Sequence, residues 1–83
     1  MYIKWEMNTM TLQLRQKLEE IAKIVWTIPD ITQDLVLAII VPLKKETQAT
    51  KMLEYLQENK NNEELMRIDR LLKKTLQIAE ENL

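Results

Sequence analysis

The amino-acid sequence predicts an all-α fold, a small antiparallel bundle of three or four helices, from three observations. Apolar residues recur every three or four positions over most of the chain, which marks one face of a helix. Glycine, the usual source of the positive φ angles that tight hairpins need, is absent, so a sheet of short hairpins is disfavoured. With 83 residues, the chain has room for one core, and 1–83 is read as one helical domain in which residues 1–7 are prone to fray.

The first helix is read from Ile3, Met7, Met10, Leu14, Leu18, Ile21, Val25 and Ile28, a stripe with steps of four or three throughout. It is expected at least from Thr9 to Trp26, with Glu19 and Lys23 as an ion pair four residues apart on its polar side. Ile3, Trp5 and Met7 also alternate as a short strand would, which leaves the state of residues 1–7 open. At 1.5 Å per residue the stripe covers ~39 Å, more than the other helices could cover within one chain.

Thr27-Ile28-Pro29-Asp30 then forms a corner, because proline disfavours helical geometry in the residue before it and suits the first turn of a new helix. Asp30 with Gln33 resembles a capping box, and Thr27 with Asp30 is an overlapping alternative. The segment from Ile31 to Val41 is apolar nearly all round, as expected for a helix buried on several sides, and is placed in the middle of the bundle. Pro42 must end this helix or bend it, and the helix count turns on which. Beyond it, Thr47 can cap a helix marked by Ala49, Met52, Leu53 and Leu56. That helix is expected to end near Asn59, in the left-handed turn that asparagine tolerates.

Asn61 with Glu64 suggests the start of the last helix. Its stripe is Leu65, Ile68, Leu72, Leu76, Ala79 and Leu83, widened by Leu71 and Ile78, with Glu63–Arg67 and Asp69–Lys73 as favourable pairs and an end near Glu80.

Composition narrows the chemistry. Hydrophobic residues make up 46% and charged residues 30% with a net charge of -1, too apolar for a disordered tail and too charged for a membrane protein. Cysteine, histidine and serine are all absent, so disulfides, zinc sites and the common catalytic triads are excluded by residue type, and phosphate loops are excluded by the lack of glycine. The neighbouring acid pairs Glu19–Glu20, Glu63–Glu64 and Glu80–Glu81 point about 100° apart on a helix and do not converge on a metal. Asp30 and Asp34 read as a cap and a first-turn charge. No catalytic residue, cofactor or metal is therefore expected, and the chain is read as non-enzymatic. The start of the sequence lacks a basic stretch followed by an apolar run, and the longest apolar run, Leu35 to Val41, is far short of the roughly 20 residues of a membrane span, so a cytoplasmic location is expected.

Protein association is the expected function, most simply as a homodimer through the first helix, with Ile3, Trp5, Met7, Met10, Leu14 and Trp26 as candidate interface residues. A chain of 9.9 kDa removes only roughly 60–65% of its unfolded surface on folding, so a second copy would add to a thin core. Trp5 and Trp26 flank the stripe, where large side chains with a polar tip serve interfaces and cores alike. The alternatives are a small DNA-binding regulator, using Arg67, Arg70 and Lys74 on one face of the last helix, and an immunity or antitoxin type of accessory subunit that binds one specific enzyme. Interleaved Glu63, Glu64 and Asp69, and the lack of aromatic residues among the cations, disfavour nucleic acid.

Overall fold

The computed structural model describes residues 12–81, which form four helices: α1 Leu12–Val25, α2 Gln33–Ile40, α3 Glu46–Asn59 and α4 Ile68–Glu81. Among these, α1 packs on α2 and α3, and α4 packs on the same two. The pairs α1/α4 and α2/α3 do not touch, so the four lie in the cyclic order α1, α3, α4, α2. Sequence neighbours α2 and α3 are thus diagonal, although a connection as short as theirs ordinarily sets two helices side by side.

Directions follow from contacts between the ends. Gln48 at the start of α3 donates through Nε2 to the carbonyl of Ala79 near the end of α4, at 3.4 Å, and Met52 meets Thr75 midway, so α3 and α4 are antiparallel. The turn after α1 and the turn after α3 line a common groove through Thr27–Asp30 and Lys60, so α1 and α3 run parallel.

α1 ends one residue short of the expected boundary, and its stripe is confirmed by the burial of Leu14, Leu18, Ile21 and Val25. Ile28 does not extend it. The amides of Thr27 and Ile28 bond back to Ile24 and Val25 in tight turns, and the Thr27 hydroxyl donates to the Ile24 carbonyl at 2.6 Å. Thr27 therefore closes α1 rather than opening α2. The part of the expected first helix before Leu12 lies outside the described residues.

The corner also differs from the expected cap. Asp30 has φ 66°, the single positive value among the described residues. With Pro29 before it and the Ile31 amide bonded to the Ile28 carbonyl at 3.3 Å, it has the marks of a type II turn. A residue in that conformation cannot cap the next helix, so α2 begins at Gln33 under Thr32, whose Oγ1 accepts from the Leu35 amide at 3.3 Å. Asp34 adds a negative charge in the first turn, where the helix dipole favours it.

Pro42 ends α2. Val41 still donates to the Leu37 carbonyl, but Pro42 has no amide to continue the ladder, and Leu43 turns back to Ile40 at 3.0 Å before burying its side chain. Lys45 occupies the cap position of α3, and Thr47 lies within the first turn rather than before it. Gln48, three residues on, reaches back across this start: its Oε1 accepts from the Lys44 and Lys45 amides at 2.8 and 2.9 Å. Asn59 makes no left-handed turn. Lys60 after it remains right-handed, and Asn59 Nδ2 donates to the Tyr55 carbonyl at 2.8 Å.

The last helix starts later than Asn61 and Glu64 implied. Asn62, one residue on, caps a single turn, its Oδ1 accepting from the Glu64 and Leu65 amides. The chain then bends at Arg67 before α4. The Tyr55 hydroxyl donates to the Leu65 carbonyl at 3.2 Å, engaging an oxygen that a continuous helix would offer to the amide of residue 69.

In α4 the buried centre is Leu71, Thr75 and Ile78, so the two residues that widened the expected stripe lie at the core, while the stripe itself is the flank: Leu72 is half-buried and Leu76 is 59% exposed. Leu83 lies outside the described residues. Thr75 belongs to the core because its hydroxyl donates to the Leu71 carbonyl one turn back at 2.8 Å, leaving its methyl to pack. The most deeply packed helix is α3, which buries Gln48, Ala49, Met52, Leu53 and Leu56, in place of the α2 segment expected in the middle.

Candidate functional site

α2 has eight residues against fourteen in each of the other helices, about 12 Å against 21 Å of axis. It lies between α1 and α4 and is too short to cover the α4 flank along its length. Its own sequence is apolar on both faces. The inner face buries Val36 and Ile39, whereas Leu37 and Val41, one turn apart on the outer face, are 45% and 59% exposed. Leu76 on the neighbouring α4 is equally open, so the α2–α4 side of the bundle carries apolar area that the other described residues leave exposed.

Beyond the N-terminal end of α2 the same side opens into a groove of ≈ 980 Å³. Ile28 and Pro29 of the corner face Met66, Ile68 and Leu72 across it, and Asp30, Lys60, Glu63, Arg67 and Asp69 form a rim of both charges. Ile68, Leu72 and Leu76 stand three or four residues apart, so the groove continues as a strip along the flank of α4. An apolar floor with a mixed-charge rim suits an amphipathic partner segment.

The expected interface residues fare unequally. Leu14 is 4% exposed and packs in the chain's own core, so it is not available to a partner. Trp26 is 49% exposed at the end of α1. Ile3, Trp5, Met7 and Met10 lie outside the described residues. The outer face of α2 and the flank of α4 were not singled out as interface from the sequence, where the nearly all-apolar run of α2 read as a helix buried on several sides.

The three expected nucleic-acid contacts are largely engaged within the chain. Arg70 bonds Glu64 at 3.1 Å, Arg67 lies 3.5 Å from Asp69 instead of pairing with Glu63, and Lys74 lies over the Tyr55 ring at 5.1 Å. Both ion pairs are well exposed and contribute little to stability, but each places a carboxylate where a phosphate would have to approach.

Among the described residues no group of three or more acidic side chains is placed to hold a metal ion, and no buried side-chain polar atom lacks a partner. No helix among them is long and apolar enough to cross a membrane. Comparison with known proteins finds no matching family model, curated protein or solved structure.

Proposed function

We propose that this chain is a non-enzymatic protein-association module that acts as a homodimer. The observation that carries this reading is the short α2, apolar on both faces but buried on one, beside an α4 flank that it leaves partly open. Leu37, Val41 and Leu76 would each gain by burial, at roughly 25 cal/mol for every Å² of apolar surface removed from water. A net charge of -1 sets little long-range repulsion against a second copy. The expected extra length of the first helix falls outside the described residues, and α1 as described matches α3 and α4 in length, which leaves the α2–α4 side as the support for association.

Equilibrium sedimentation of the full chain tests the proposal. The expected result is a dimer mass at tens of micromolar, and a monomer mass at that concentration would remove it.

A further inference from the structure

We infer that the groove beside the Thr27–Asp30 corner receives the N-terminal segment, Tyr2–Met10, of a second copy of this chain. The inference rests on the homodimer reading and specifies what crosses between the copies. The eleven residues before α1 include Tyr2, Ile3, Trp5, Met7 and Met10, with only Lys4 and Glu6 charged among their side chains. That content suits the floor of Ile28, Met66, Ile68 and Leu72, and the two charges suit a rim holding both signs. A volume of ≈ 980 Å³ lies at the upper end of the roughly 300–1,000 Å³ typical of pockets that enclose drug-sized molecules, enough for several such side chains.

Position argues for the second copy over the chain's own segment. The segment joins the bundle at Leu12, whereas the groove lies beyond Val25 at the other end of α1, about 21 Å away along the axis. Continued in the direction of α1, the chain leads away from its own groove. Coming back would require the chain to reverse and retrace the length of α1. A copy related by a two-fold axis, with its α1 antiparallel, brings each segment to the other's groove, and one symmetric contact fills both. Eleven residues span about 16 Å as a helix or up to about 36 Å extended, sufficient to cross such an interface.

The absence of cysteine makes a direct test available. Full-length Met7→Cys and Ile68→Cys variants, one of them isotope-labelled, are checked for helical circular dichroism, mixed at tens of micromolar and mildly oxidised. The expected product is the mixed disulfide, in at least several-fold excess over either symmetric one. Met66→Cys replaces Ile68→Cys should the latter lose helicity. Lack of the mixed disulfide in a sample that sediments as a dimer overturns the segment exchange and leaves the dimer standing. A monomer mass overturns both. Ring closure within a Met7→Cys/Ile68→Cys double variant at submicromolar concentration would show the segment in its own groove and would also overturn the exchange.

Discussion

Gln48 links two helix ends through one amide. Its oxygen accepts from two amides that precede α3, its nitrogen donates to the last turn of α4, and the side chain is nearly buried, so water is poorly placed to replace it. Removing a partner from buried donors costs about 1–3 kcal/mol, more than the net value of an average hydrogen bond. Gln48→Ala should therefore lower the unfolding free energy by about 2 kcal/mol in urea titration. Gln48→Glu, which keeps the acceptor, should recover part of that loss. The signal was available in the sequence, since glutamine three residues after a helix boundary is half of a capping box, but Thr47 is the better cap by residue type and drew the boundary two positions late.

At the scale of the helix, periodicity gave the helical segments in order and the buried face of α1 residue by residue, while leaving open whether Pro42 divides two helices or bends one. Ends were less legible because capping depends on which neighbouring threonine or asparagine the chain can turn to a free amide: Thr32 in place of Asp30, and Asn62 in place of Asn61. The centre of the α4 face was displaced for another reason, although the expected face includes Leu71 and Ile78. Leucine at 72 and 76 outweighs threonine at 75 by hydrophobicity, yet a threonine bonded to its own helix is cheap to bury. The same limit hid the exposed outer side of α2, since an apolar run does not state which of its sides another helix will cover. For α2 the structure separates the two sides, and each can be changed alone. Leu37→Gln with Val41→Lys alters exposed positions, where substitutions typically shift stability by about 0.5 kcal/mol or less. Helical circular dichroism should be preserved while the dimer dissociates at least ten-fold more readily in sedimentation. An unchanged dissociation constant would exclude the outer face of α2 from the interface.

For the whole molecule, the proposed association would couple to folding by mass action. Burial of the described core falls on thirteen apolar residues drawn from all four helices and Leu43, a modest store for a chain of this length. Anything that binds the folded form and not the unfolded one raises the thermal midpoint with concentration. The midpoint should thus rise by several degrees between about 1 and 100 µM chain, as followed by circular dichroism. The Leu37→Gln/Val41→Lys variant should show a flatter dependence, and a wild-type midpoint independent of concentration would leave the copies uncoupled.

The corner at Asp30 has a consequence for how freely this sequence can vary. Every other described residue has negative φ, so the backbone is built without glycine's large loss of freedom on ordering, and the unfolded chain is correspondingly less diverse. The left-handed geometry falls on one aspartate, where β-branched side chains are strongly opposed and asparagine or glycine are the ready substitutes. The path from α1 to α2 thus passes through a position open to a very small alphabet, and substitutions remote from any partner could redirect the chain there.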